Sequence, residues 1–264
     1  MRYLKIKNLG EMEPQALTLM GASTKVGDNS KIGMFGSGNK YALAYLIRQH
    51  IPFKIFTGNK EIEVTTQIET FRNDTFKVIY INGEKTSLTT QMGKDWKLWQ
   101  AIREIYCNAI DEGEATIESV DGIGLVAGET HFYIELTLEM LDFMNNFDNY
   151  FALNKTVIHK VPEGRILAKK GELVNIFRKG IRCYDSQHRS VYDYDFDDVT
   201  INESRIIPHS WYVTEKVWQL LITSTDPTVI NTMVEAMGDR GNIEAMSGGM
   251  TTLRIDGASD CFRN

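Results

Sequence analysis

The sequence predicts an α/β chain of the α+β kind, with antiparallel-looking hairpins and interspersed helices, followed by a smaller C-terminal α/β segment. Three observations predict it. Short runs with period-two alternation recur, separated by turn pairs such as Gly58-Asn59 and Asn73-Asp74. Two runs of helical character, residues 41–48 and 96–112, interrupt those strands. From about Asn154 the texture changes, with β-formers over 165–207 and helical periodicity over 212–237. A length of 264 residues fits about two domains at roughly 150 residues each. We place them at 1–155 and 156–264.

In chain order, residues 3–8 alternate as a strand and end at the turn residue Gly10. Pro14, Leu17, Leu19 and Met20 precede a polar run over 21–31, and a glycine-rich stretch then opens an apolar helix at 41–48. Strands are expected at 53–57, 61–71 and 75–82. Asp95 is placed to cap the helix at 96–112, and Gly113 to close it. A second hairpin, 115–120 with 129–137, leads into an amphipathic helix at 138–151, whose stripe of Met140, Leu141, Met144 and Phe147 reads as core or interface. The alternating aromatic and acidic residues of 192–198 read as an edge strand with its acids outward. The helical stretch 212–237 is interrupted near Asp226-Pro227, and the Gly-rich 238–264 carries no helix or strand signal, as in one part of a longer polypeptide.

Composition narrows the function classes. The 29 basic and 35 acidic residues leave a net charge of −6, so no general basic field recruits nucleic acid or an acidic membrane. No apolar run approaches the roughly 20 residues of a bilayer span, and the N-terminus lacks a signal-peptide core. Cys107, Cys183 and Cys261 are odd in number and form no CxxC pair, which fits a reducing, cytoplasmic setting. His188 and His209 lack zinc-ligand spacing. His131 and His159 stand in or beside apolar segments and read as structural, and Cys107 reads as a small buried hydrophobe.

Two constellations carry chemistry. The first is Gly33-x-x-Gly36-x-Gly38 before a buried helix. Glycines allow close backbone approach, and the first amides of a helix are unpaired with the positive end of the dipole behind them, so the pattern forms a phosphate cradle. Lys40 adds a point charge. The bland alternative is a tight connection; the Walker spacing is absent. The second is Glu104-x-x-x-Asn108-x-x-Asp111, which puts three polar groups on one helix face within about 60° of each other. A carboxamide oxygen is a hard, neutral Mg²⁺ ligand, and a glutamate one turn away can orient and deprotonate water. The bland alternative is a solvated polar stripe.

Together these motifs resemble the gyrase, heat-shock chaperone, histidine kinase and MutL (GHKL) ATPase superfamily. Glu104-Ile105-Tyr106-Cys107-Asn108-Ala109-Ile110-Asp111-Glu112 is similar to its N-box, and Ile32-Gly33-Met34-Phe35-Gly36-Ser37-Gly38-Asn39-Lys40 to its second glycine box. In the family the N-box comes first; here it follows, as in a circular permutation. The adenine box should then lie upstream of residue 33, where Asn8-Leu9-Gly10-Glu11-Met12 stands, followed by Gly21-Ala22-Ser23-Thr24-Lys25, similar to a lid-proximal segment. The resemblance covers about residues 1–137 and implies a circularly permuted Bergerat fold, a two-layer sandwich of a mixed, mainly antiparallel sheet covered by helices, with ATP and Mg²⁺ as cofactors. Glu104 is then the catalytic base and Asn108 the metal ligand. Asn8, Gly10, Met12, Gly33, Gly36, Ser37, Gly38, Asn39, Lys40 and Asp111 are expected to bind nucleotide. Asn8 replaces the family aspartate, which leaves the choice between adenine and guanine open. Thr130 resembles the threonine that supports the base site, and Asp121-Gly122-Ile123-Gly124 is a rival adenine box that reads better as a turn. A second, transducer-like domain is implied, with Arg178, Lys179 and Arg205 as candidates to reach the γ-phosphate.

The function expected is Mg-dependent ATP binding with slow hydrolysis that drives a lid or a nucleotide-dependent homodimer clamp, acting on an unidentified client protein. The alternative is a non-hydrolytic, nucleotide-gated interaction module. The compact, reordered layout is similar to that of bacterial or phage accessory proteins of this superfamily. Neither membrane nor nucleic acid is expected as a partner.

Overall fold

Alternation in the first strand, β1 (Tyr3–Leu9), sorts its residues onto two faces. Leu4 and Ile6 are fully buried, while Lys5 and Lys7 lie on the other face. The structure is a computed structural model and describes residues 1–19, 32, 36–248 and 258–263. The chain is α+β and divides into two compact units, Met1–Asn145 and Asn146–Asn264.

The first unit continues through α1 (Gln15–Thr18), α2 (Gly38–Arg48), β2 (Phe53–Thr57), β3 (Lys60–Ile62), β4 (Val64–Phe71), β5 (Asp74–Ile81) and β6 (Glu84–Thr89). After these come α3 (Leu98–Glu112), β7 (Thr116–Val120), β8 (Glu129–Glu135) and α4 (Leu138–Asn145). Its main sheet has the order β3-β2-β8-β1-β7, antiparallel throughout. The buried stripe of β1 matches that of β8, with Ile6 opposite Phe132 and Leu4 opposite Ile134. α3 packs on β1 and α2 packs on α3. A separate meander, β4-β5-β6, follows β3.

Several expectations are corrected. The single strand expected at 61–71 is divided at Glu63 between two sheets, β3 joining β2 and β4 joining β5, and β6 is an additional strand. The expected hairpin of β7 and β8 does not form, because β1 inserts between them and pairs with both. Asp95 does not cap α3; the Gln100 side chain accepts from Lys97 N at 2.9 Å instead. The helix expected at 138–151 ends at Asn145 and is followed by a 3₁₀ turn, Phe147–Asn149.

The second unit holds β9 (Val157–Val161), β10 (Gly164–Leu167), β11 (Leu173–Arg178), β12 (Ile181–Arg189), β13 (Asp193–Phe196), α5 (Ser210–Thr223), α6 (Pro227–Ala236), α7 (Ile243–Gly248) and α8 (Asp260–Arg263). Its sheet runs β12-β11-β13-β10-β9, with β11 and β13 parallel. Ile166, Ile176, Tyr194 and Phe196 from the sheet share one core with Val213, Val217 and Leu220 of α5 and with Met233 of α6. Asp226 caps α6 by accepting from Thr228 N and Val229 N, with Pro227 in the first turn. Residues ahead of the 155/156 boundary belong to this unit, since Phe151 bridges to Ile181 and Ala152 N donates to Gly180 O at 2.7 Å. The C-terminal stretch, expected to be without helix, carries α7 and α8.

The largest correction concerns 192–198. β13 is central, not an edge, and Asp193 and Asp195 are buried. Lys155 Nζ reaches Asp193 Oδ2 at 2.6 Å, and Asn175 N donates to Asp193 Oδ1 at 2.7 Å. Arg165 Nε and Gly180 N donate to Asp195 at 2.9 and 2.8 Å. Period-two alternation does not distinguish an acid facing water from one facing a buried cation.

Candidate nucleotide-binding site

α2 begins at Gly38 because the preceding turn needs glycine at Gly36, where φ is +65°. Ser37 sits at the helix N-cap, buried and without a side-chain capping bond, and its carbonyl accepts from Lys40 N and Tyr41 N. No hydrogen bond from the Gly38 or Asn39 amide is present among the described residues, as befits the first turn of a helix.

α3 lays its polar face directly on this turn. At Gly38 a Cβ would fall inside the van der Waals surface of Glu104 Oε2 and 3.0 Å from Glu104 Cδ, so any larger residue would have to displace the Glu104 side chain. One turn on, Asn108 Nδ2 donates to Asn39 Oδ1 at 2.8 Å, which leaves the Asn108 carbonyl oxygen outside that bond. Asp111 Oδ1 accepts from Ile32 N at 2.7 Å and thereby fixes the approach to the glycine box. Glu104, Asn108 and Asp111 therefore contact Gly38, Asn39 and Ile32 in turn.

Glu104 is 1% exposed and Arg103 is fully buried. Arg103 donates from Nε and Nη2 to Glu104 Oε1 at 3.1 and 2.9 Å, and its guanidinium lies 5.0 Å from the Trp99 ring centroid. One carboxylate oxygen is thus held by Arg103 while the other faces Gly38. The motif reading missed Arg103. Successive helix positions point about 100° apart, so no spacing rule announces this pair. Lys40 also departs from its expected pose. Its Nζ donates back to Gly36 O, it is buried, and that burial lowers its pKa. It holds the glycine turn from beneath.

The upstream segment is built separately. Asn8 is buried and stands opposite Thr130 in the β1–β8 register. Thr130 Oγ1 accepts from Met12 N at 2.8 Å and donates to Gly10 O at 2.7 Å. Gly10 has φ of +89°, and its N–H donates to Gly128 O. Asn8 Nδ2 donates to Leu9 O at 2.6 Å, which leaves its Oδ1 as an acceptor. Leu9 N donates to Gly113 O at 3.1 Å, tying this loop to the end of α3. Glu11, not among the sequence candidates, accepts from Gly128 N at 2.9 Å and fills the space over Gly58.

Gly33 and the segment 21–25 lie outside the described residues. Asp121 is exposed on the β7–β8 connection near Arg2 and takes no part in this arrangement. Within the second unit, Arg178 faces Asp198 at 3.6 Å, Lys179 occupies a left-handed turn, and Arg205 is buried. His131 is fully buried 3.0 Å from Glu129, and burial is the main cause that lowers its pKa. Cys107 is buried.

Gly38→Ala is expected to drive the new methyl into Glu104. We expect the thermal midpoint to fall by about 2–8 °C, as for an overpacked core position. A differential scanning trace unchanged from wild type would show that the two helices do not meet as described.

Among the described residues no helix is long and apolar enough to cross a membrane, and no group of three or more His, Cys, Asp or Glu is placed to hold a metal ion. No family model, curated protein or solved structure matches the chain, so the chemistry of this site has to be derived from its own residues.

Proposed function

We propose that the chain is a Mg-dependent ATP-binding protein of GHKL type, with a Bergerat-like first unit in circularly permuted order, and that it hydrolyses ATP slowly. The observation that carries this reading is the contact of Glu104 with Gly38, which seats a buried carboxylate against the open N-terminus of α2. A nearby helix N-terminus with a glycine-rich lead-in binds phosphate oxygens through backbone amides.

The residues present fit the groups implied. The Gly38 and Asn39 amides would hold phosphate oxygens, and the Asn108 carbonyl oxygen would ligate Mg²⁺. That arrangement needs one protein ligand, with phosphate and water supplying the rest. When bound, the cation neutralises charge on the phosphate oxygens. Glu104 Oε2 would orient a water and accept its proton, while Arg103 holds Oε1 and fixes the carboxylate plane. Asp111 fixes Ile32, and Lys40 fixes Gly36, so the glycine turn keeps its shape. Calorimetry with and without Mg²⁺ tests the reading; absence of Mg-ATP binding by the whole chain would overturn it.

Asn8 can serve either base. One N–H of its amide is given to Leu9 O, its oxygen can accept from the adenine amino group, and its second N–H can donate to guanine O6. Parallel titrations with ATP and GTP read which of these contacts is used.

A second reading is favoured by the burial of Glu104 and its grip by Arg103, which restrict water at the carboxylate. On that reading ATP binding alone sets the shape of an interaction module or a clamp. Single-turnover measurement separates the two: bound ATP that yields no ADP supports the module.

A further inference from the structure

The meander β4-β5-β6 is anchored at one side only. β6 packs near α1 and α2 and buries Thr86 and Leu88, and β5 buries Val78, Ile79 and Ile81. Among the described residues β4 is the outer edge, paired on one side with β5 in an unbroken register from Val64 to Phe71. Its Ile68 and Phe71 side chains are 78% and 66% exposed.

Edge strands usually carry lysine, proline, a bulge or an unpaired charge that discourages further pairing. β4, Val-Thr-Thr-Gln-Ile-Glu-Thr-Phe, carries no lysine or proline and no bulge. Its one charge, Glu69, is answered within the meander by the Tyr80 hydroxyl at 2.6 Å and by Lys85. The edge is electrically quiet and rich in β-branched residues, which makes it a pairing template.

The direction of its free backbone groups follows from three contacts. Asn82 N donates to Glu63 O just ahead of β4. Phe71 and Asp74 flank the two-residue turn Arg72-Asn73, with Arg72 at positive φ. Lys77 O accepts from Thr90 N on the β6 side. Odd-numbered peptide groups of β4 therefore bond β5, and those of Val64, Thr66, Ile68 and Thr70 point outward.

We infer that β4 pairs antiparallel with β4 of a second copy of this chain, about a two-fold axis at Ile68. A two-fold normal to a sheet reverses strand direction and preserves its faces, so partners must share parity. Ile68 then meets Ile68 of the second copy and Thr66 meets Thr70, all from the outward-bonding set. Glu69 falls opposite Gln67, so no like charges face each other. The two meanders become one six-stranded sheet. This assembly needs no nucleotide, which distinguishes it from a nucleotide-dependent clamp.

Sedimentation equilibrium of the full chain without nucleotide, from about 1 to about 100 μM, a range that brackets micromolar dissociation constants, tests the inference. Wild type is expected to show a species of twice the 30.1 kDa chain mass. Ile68→Lys, which sets two ammonium groups across the axis, and Thr66→Pro, which deletes an outward N–H, are each expected to return the monomer with an unchanged circular dichroism spectrum. If the proline variant unfolds, the lysine variant decides alone. A wild-type chain that stays monomeric, a dimer that survives Ile68→Lys, or a dimer formed only with Mg-ATP would each overturn the inference. A monomer would leave the edge to an extended peptide of another protein.

Discussion

Replacing Glu104 by Gln is expected to reduce ATP turnover by about 10²–10⁴-fold, the usual contribution of a positioned general base, while Mg-ATP binding persists. The carboxamide is nearly isosteric, so the close approach at Gly38 is preserved and the glycine turn keeps its shape. What is lost is the proton acceptor. Phosphate release in single-turnover assays reads the loss, and calorimetry on the same variant reads the binding. Unchanged turnover would remove Glu104 as base; lost binding would assign it to holding the site together. Arg103→Met makes a useful companion, because it removes both Arg103 bonds to Oε1 while leaving Oε2 against Gly38.

The second large effect is expected far from any nucleotide chemistry. Asp193→Ala strips the partner from Lys155, whose side chain is only 4% exposed, and leaves the Asn175 N–H without its acceptor. Breaking a buried ion pair from one side costs about 3–5 kcal/mol, because the remaining charge is uncompensated. Urea unfolding should show a loss of unfolding free energy of that size, or no folded second unit at all. Asp193→Asn should cost less, since the amide oxygen can still accept from Asn175 N. A shift under about 0.5 kcal/mol, typical of exposed positions, would show that the pair is not buried as described.

The two variants show how unevenly the molecule could be read from its residues. Glu104, Asn108 and Asp111 are close in the chain, so helical periodicity alone places them on one face. Their partners Gly38, Asn39 and Ile32 are recognisable because a glycine-rich lead-in before a helix has its own local geometry. Strand positions 53–57, 116–120 and 129–135 follow from alternation in the same way. Alternation says nothing about neighbours, however. β7 and β8 look like a hairpin in sequence, yet β1 lies between them. The acids of β13 look solvent-facing, yet Lys155 and Arg165 meet them inside the second unit.

What the sequence by itself determined is whatever depends on contacts within a turn or two of backbone: the two helices that carry the motifs, the alternation of the strands, the break near Asp226-Pro227, and the chemical types gathered at 36–40 and 104–111. Tertiary structure alone decided which strand lies beside which, that Glu104 meets Gly38 with Arg103 behind it, that Lys40 turns inward, and that β4 is left as an edge. The reason is physical. Local geometry repeats at fixed residue intervals, whereas burial and long-range pairing depend on how the whole chain closes, and a side chain's charge partner is chosen by that closure.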